Sequence, residues 1–274
     1  MMHWRLRNAV LALAAMVLAN VSSDALAARC GNTGAGFSRW LADFKREAAG
    51  AGVSSKVIAS ALNGVTYDTS VIRLDRNQKH FKLSFQKFYA TRAAPLEGVA
   101  RSRYKQNASL LRGIEKRFGV PGEVLVAIWG LETSFGANTG NKKAIRSLAT
   151  LAYDCRRSAF FTEELYAALK IVQRGDLSPS QMIGAWAGEL GQTQFLATSY
   201  IKFAVDWDGN GHRDLIRSKS DALASTANYL KAYGWRAGQS YQPGTHNYTV
   251  LGQWNKAAVY QQTIAVLAGK IAGR

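Results

Sequence analysis

Three short stretches of this chain carry side chains whose types and spacing could do chemistry. In Trp129-Gly130-Leu131-Glu132-Thr133-Ser134-Phe135-Gly136 an apolar helical run ends in a polar, glycine-punctuated turn, and Glu132 stands at the junction. Leu125, Ile128, Trp129 and Glu132 fall at the i, i+3, i+4, i+7 spacing of one helix face, so the carboxyl shares that face with apolar side chains. Desolvation disfavours the charged form of an acid and raises its pKa, which keeps a proton available for general acid catalysis near neutral pH. The other fate of such a Glu is structural, capping a neighbouring loop, and the helix alone leaves both readings open. In Trp186-Ala187-Gly188-Glu189-Leu190-Gly191-Gln192-Thr193-Gln194-Phe195, Gly188 and Gly191 let backbone come close to a ligand. The Gln192 and Gln194 amides each offer a donor pair and an acceptor suited to hydroxyl and N-acetyl groups; the alternative is an ordinary turn between helices. In the third stretch, Asp206, Asp208, Asn210 and Asp214 supply oxygens at positions 1, 3, 5 and 9 of a loop with Gly211 at position 6 and His212 at position 7. That is the first part of an EF-hand calcium loop. Arg217 occupies position 12, where a bidentate Glu belongs, so another acid must close the site, and Asp221 is placed to do so. The metal-free alternative is an Asx-rich turn.

Helices must position these residues. Apolar periodicity predicts helices over Phe37 to Ala51, Ser54 to Leu62, Val99 to Phe118, Pro121 to Leu131, Phe160 to Arg174, Asp221 to Tyr233 and Lys256 to Ala268. Pro121 and Glu123 form the first turn of the helix that leads to Glu132. Gln239 to Val250, rich in Tyr, Thr and Pro, is the best place for a small hairpin. No linker or internal repeat divides the chain, so residues 28–274 read as one mainly α unit with the calcium loop at 206–221 and little β structure.

Taken together, Glu132-Thr133-x-x-Gly136 and Gly191-x-x-Gln194-Phe195 resemble the motifs of the family B lytic transglycosylases of the bacterial cell wall, in matching order from about Phe37 to about Ile264. The resemblance implies a lysozyme-like α-helical fold around a cleft, Glu132 as its catalytic acid, and an EF-hand-like calcium site closed by a late aspartate that matches Asp221. Trp254-Asn255-Lys256-Ala257-Ala258-Val259-Tyr260 resembles the family's C-terminal Tyr-Asn-x-Ser-x-x-Tyr segment, which implies Asn255 and Tyr260 at the cleft. Tyr200, Tyr229 and Trp254 are further aromatics for stacking on pyranose rings, although core packing is the commoner fate of any one of them. Departures from the family pattern are Ala185 for a serine beside the acid, Phe88 for a cleft tyrosine, Ala197 for a proline and Ala257 for a serine. Glu189 is an extra carboxylate where a small residue is expected; a second acid or base is one reading of it, and a solvated loop charge is the simpler one.

Residues 1–27 carry Arg5 and Arg7, an apolar stretch from Ala9 to Leu18 and Ala25-Leu26-Ala27, the pattern of a secretory signal cleaved after Ala27. The stretch is too short for a comfortable membrane span, and Arg29 before Cys30 breaks any lipid-attachment pattern, so the mature form is expected to be periplasmic and without a transmembrane anchor. Without residues 1–27 the net charge is +16. Such a charge points to a polyanionic partner; export argues against nucleic acid and for wall-peptide carboxylates and anionic envelope surfaces, the other reading being that the charge only aids solubility. Cys30 and Cys155 form an even count in an exported chain and are candidates for a disulfide, with their separation in space left open. His80, His212 and His246 are isolated, which excludes a zinc amidase or peptidase, and a Gly-x-Ser-x-Gly elbow is absent.

The expected function is a lytic transglycosylase that cleaves the β-1,4 bond between N-acetylmuramic acid and N-acetylglucosamine in peptidoglycan glycan strands and leaves 1,6-anhydromuramoyl ends. Glu132 is the catalytic residue, Gln192, Gln194, Tyr200, Tyr229, Asn255 and Tyr260 bind substrate, and structural calcium sits on Asp206, Asp208, Asn210, His212 and Asp221. The alternatives are a lysozyme-type hydrolase and a catalytically weak wall-binding scaffold.

Overall fold

The computed structural model describes residues 30–77 and 83–273; the expected signal segment and His80 lie outside them. The chain is a succession of helices: α1 (Phe37–Gly50), α2 (Ser55–Leu62), α3 (Thr69–Arg76), α4 (Phe85–Arg92), α5 (Glu97–Gln106), α6 (Ala108–Phe118), α7 (Gly122–Thr133), α8 (Ala144–Tyr153), α9 (Ser158–Arg174), α10 (Ala197–Phe203), α11 (Lys219–Ala232), α12 (His246–Trp254) and α13 (Ala258–Ile271). The sheet among the described residues is a two-residue antiparallel pair, β1 (Lys142–Lys143) with β2 (Ile183–Gly184). Mainly α, as the periodicity predicts.

Apolar side chains gather in two clusters. One joins α1, α2, α8, α9 and the 187–200 region around Phe44, Leu148, Phe161 and Leu165. The other joins α4 to α7 with α11 to α13 around Ile114, Leu125, Ile128 and Ile264. Tyr229 and Trp254 pack against both. The Cys30–Cys155 disulfide, with Cα atoms 4.9 Å apart, ties the first described residue to the end of α8. Beside it Asp75, whose side chain is fully buried, meets Arg76, Arg156 and Arg157, and Arg76 also grips Asp154 at 2.7 Å. A buried carboxylate needs such partners, because unpaired charge is costly away from water.

The expected elements differ from the fold in several places, and the short helices α3, α4 and α10 are not among the predicted ones. The run from Val99 to Phe118 is two helices: Asn107, buried, donates from its side chain to the Arg103 carbonyl at 2.8 Å and ends α5 there. Gln239 to Val250 is a turn followed by α12, not a hairpin. Thr245 caps α12 by accepting from Tyr248 N, and the buried Asn247 amide binds the backbone of Arg236 and Gln239, which occupies the groups a strand pair would need. α8 was not anticipated because every residue but Arg146 is buried, so it shows no polar stripe.

Candidate active site

α7 runs through the second cluster, with Gly122 to Gly130 all buried, and packs against α5, α6, α11 and α13. Its last turn delivers Glu132 to a cleft of about 420 Å³, walled by Ala185, Trp186, Glu189, Gln194, Phe195, Ser199, Tyr229, Trp254 and Asn255 among others. Ser134, the C-cap of α7, and Phe135 both have positive φ, at 51° and 62°. Among the described residues the third non-glycine with positive φ is Gln194, at 54°. Gln194 stands in the cleft wall, and Ser134 and Phe135 follow Glu132 closely in the chain, so the strained backbone gathers near the acid, as it commonly does at functional sites.

The two motif segments are stitched together. Thr133 Oγ1 donates to the Gln192 carbonyl at 2.6 Å and accepts from Gly136 N at 2.9 Å, while Trp129 Nε1 donates to Gln192 Oε1 at 3.0 Å. Gly136 has φ +86°, and a Cβ there would stand 2.8 Å from Gln192 Oε1, so the acid's turn requires glycine at this position. Leu190 and Phe195 exchange backbone hydrogen bonds at 2.8 Å, which closes the 191–194 turn.

Glu132 Oε1 accepts from Trp254 Nε1 at 2.9 Å and from Tyr260 Oη at 2.7 Å. With two donors on Oε1, a proton on the carboxyl belongs on Oε2. Burial, foremost, pushes the Glu132 carboxyl above its ordinary range; the two donors pull it back, neighbouring Glu189 adds to the rise and Arg92 opposes it. The Tyr260 phenol is driven well up by its own burial and then by Glu132, so it remains a proton-bearing donor. Phe88 backs Tyr260 edge-on at 6.1 Å between ring centroids.

The remaining expected site residues divide. Gln194, Tyr229 and Asn255 line the cleft with Glu132. The Gln194 amide donates to the Thr139 and Gly191 carbonyls, and Tyr229 Oη donates to the Gln253 carbonyl at 2.6 Å. Gln192 does not line this cleft: its amide is occupied by Trp129 and by the Ile216 carbonyl, and it faces a neighbouring hollow of about 670 Å³. Tyr200 is fully buried and its hydroxyl donates to the Arg213 carbonyl, so it belongs to the core. Gly188 and Gly191 serve close packing against Leu148 and the Leu215 carbonyl, which a Cβ would strike at 2.4 Å in each case, and not approach to a ligand. Glu189 is not a solvated loop charge. Its Oε2 is buried without a hydrogen-bond partner, and burial first of all raises its carboxyl above the ordinary range. Trp254 as a donor to the acid, and Arg92 as its nearby cation, escaped sequence reasoning, since both come from elements remote from Glu132 in the chain.

In the 206–221 loop, carboxylate oxygens of Asp206, Asp208 and Asp221 lie within 4.8 Å of one another. Burial, foremost, raises the Asp221 carboxyl; acceptance from Asp214 N and Trp207 N pulls it back and the charge of Asp208 adds to the rise, an environment that a divalent cation would reverse. Asn210 Oδ1 is turned to His212 N at 2.9 Å. The His212 ring pairs through Nδ1 with the Gly175 carbonyl at 2.9 Å, which directs it away from the acids. Asp214 binds Arg217 and two backbone N–H groups instead of joining the trio. The three carboxylates are hard oxygen donors and fit calcium.

Residues 36–244 match the family described as transglycosylase SLT domain. The chain is 39% identical over 122 residues to membrane-bound lytic murein transglycosylase B of Escherichia coli K12, a match that takes in 44% of this chain and 34% of that relative, so it spans about a third of that protein's length. SltB3 of Pseudomonas aeruginosa, solved in complex with NAG-anhNAM-pentapeptide, superposes with a TM-score of 0.82 at 33% identity, over 86% of this chain and 80% of that one. A lytic transglycosylase of Escherichia coli solved in complex with calcium shares the fold, with a TM-score of 0.75 at 22% identity over 92% of this chain and 97% of that one. None of the described helices is long and apolar enough to cross a membrane. The chain belongs to the transglycosylase SLT domain family, among the family B lytic transglycosylases.

Proposed function

We propose that this protein is a lytic transglycosylase acting on peptidoglycan glycan strands, with Glu132 as its single catalytic acid and base. The observation that carries this reading is the Glu132 carboxyl in the cleft wall, with Oε1 held by Trp254 and Tyr260 and the proton left to Oε2. Oε2 protonates the glycosidic oxygen as the bond from C1 of N-acetylmuramic acid breaks, and the leaving N-acetylglucosamine departs with a free 4-hydroxyl. The substrate's own N-acetyl group stabilises the positive charge at C1. Glu132, now a carboxylate, takes the proton from the 6-hydroxyl of the same muramic acid, and O6 closes on C1 to give the 1,6-anhydro sugar.

Glu189 is the observation that favours a second reading, since two carboxyls sharing a cleft are the equipment of a hydrolase. Burial raises the Glu189 carboxyl and its Oε2 has no hydrogen-bond partner, which disfavours the charged form that a nucleophile or base requires, and this argues for the one-acid reaction. Digestion of purified sacculi in ¹⁸O-labelled water separates the two. Muropeptides lighter by one water and free of label are expected; labelled reducing ends as the main product would assign a hydrolase.

The proposal extends to the setting. Asp206, Asp208 and Asp221 would hold structural calcium, helped by loop oxygens including Asn210, and the ion would brace the turn at the start of α11 without entering the reaction. Residues 28–274 act as one catalytic unit after export to the periplasm, a reading supported by Tyr229 and Trp254 packing against both apolar clusters.

A further inference from the structure

Tyr229 stands in the cleft wall with Glu132, and four residues on, at the C-cap of α11, Tyr233 lies on the same helix face. The two rings pack at 4.6 Å between centroids with planes 41° apart. Phe203 of α10 supports both, at 5.0 Å from Tyr229 and 5.7 Å from Tyr233, and Trp254 meets Tyr229 edge-on at 5.1 Å. Tyr229 is thus fixed from two sides, whereas Tyr233 keeps 43% of its surface open. That exposure leaves Tyr233 open to a flat apolar partner while its hydroxyl stays wet.

We propose that the cleft continues past the reacting sugars onto Tyr233, which offers a stacking face to a further pyranose of the same glycan strand. The proposal rests on the glycan-strand reading above. What commits the site to sugar is continuity: the exposed ring is in direct contact with a ring that already walls the acid's cleft. Pyranose rings have apolar faces that match a tyrosine ring. The platform is also pre-organised, because Phe203 and Trp254 hold the pair in place before substrate arrives, and little side-chain freedom is lost on binding.

The test measures binding rather than turnover. In a Glu132→Gln background, which cannot cleave, calorimetric titration compares a four-sugar and an eight-sugar glycan strand freed of stem peptides. The longer strand should bind about tenfold tighter, and adding Tyr233→Ala should cut that advantage to about threefold or less, in keeping with loss of one aromatic contact. Tyr233→Phe should retain it, since the ring face and not the hydroxyl makes the contact. The four-sugar affinity of each variant separates a local loss from general misfolding. An unchanged long-to-short ratio in Tyr233→Ala overturns the proposal and leaves Tyr233 as a surface residue or a contact for another protein. Failure of both strands to bind with Tyr233 intact would instead sink the glycan reading itself.

Discussion

The cleft and the 206–221 loop both present carboxylates, and their surroundings make opposite demands. In the cleft Glu132, with Glu189 in the same wall, receives two donors on a single oxygen. In the loop three acids crowd within 4.8 Å, Asp221 fully buried and Asp208 exposed, while backbone N–H groups of Gly209, Asn210 and Gly211 bend the chain around Asp206. A desolvated carboxyl with no cation to pair with relieves its desolvation by keeping a proton, so it becomes a proton store. A cluster of carboxylates relieves its repulsion most effectively with a cation. The same side-chain type thus reads as chemistry in one region and as structure in the other, and what differs is that the loop oxygens converge on one point while Glu132 is held by hydrogen-bond donors.

The sharpest way to break this comparison is Glu132→Gln. The amide keeps the shape and the Tyr260 and Trp254 contacts but has no proton to give, so turnover on sacculi should fall by about 10²- to 10⁴-fold while the fold persists. Stability should move the other way. A raised pKa in the folded state means the Glu132 contribution is favourable below the unfolded carboxyl range and is lost as pH rises through the folded value, so the wild type should lose melting temperature relative to the variant as pH increases toward neutral and beyond. Retained turnover would remove Glu132 from the mechanism, and parallel melting curves would deny its burial.

The loop answers to calcium instead. A ligand that binds only the native state at a hundredfold excess over its Kd stabilises by about 2.7 kcal/mol. Melting of metal-free protein should rise accordingly on adding calcium, and Asp206→Ala or Asp221→Ala should abolish the rise. A wild type indifferent to calcium would leave the loop as an Asx turn.

Tyr260→Phe sharpens the account of the proton store. Removing a donor that lowers the Glu132 pKa should let it rise further, shifting the alkaline limb of the pH–rate profile upward by about half to one unit, the equivalent of one hydrogen bond. A downward shift would mean that the phenol stabilises the protonated acid. Glu189→Gln should have the smallest effect: about threefold or less on turnover, with the limb moving down because a neighbour that raises the Glu132 pKa is gone. A loss comparable with that of Glu132→Gln would restore a two-carboxylate mechanism.

What the sequence determined by itself is local. The helix leading to Glu132, the positive φ at Gly136, and the Asp206, Asp208 and Gly211 spacing all depend on backbone geometry within a few residues, where helix periodicity and turn geometry dictate placement. Tertiary structure alone decided the rest. Trp254 and Tyr260 reach Glu132 across 122 and 128 residues because α13 packs on α7, and no spacing in the chain encodes that meeting. Tyr200 sank into the core, the Gln192 amide turned to Trp129, His212 turned to Gly175, and Glu189 was buried. Residue type says what a polar group can bind. Which partner it takes follows from the requirement that buried donors and acceptors be satisfied by whatever the packed helices bring within reach.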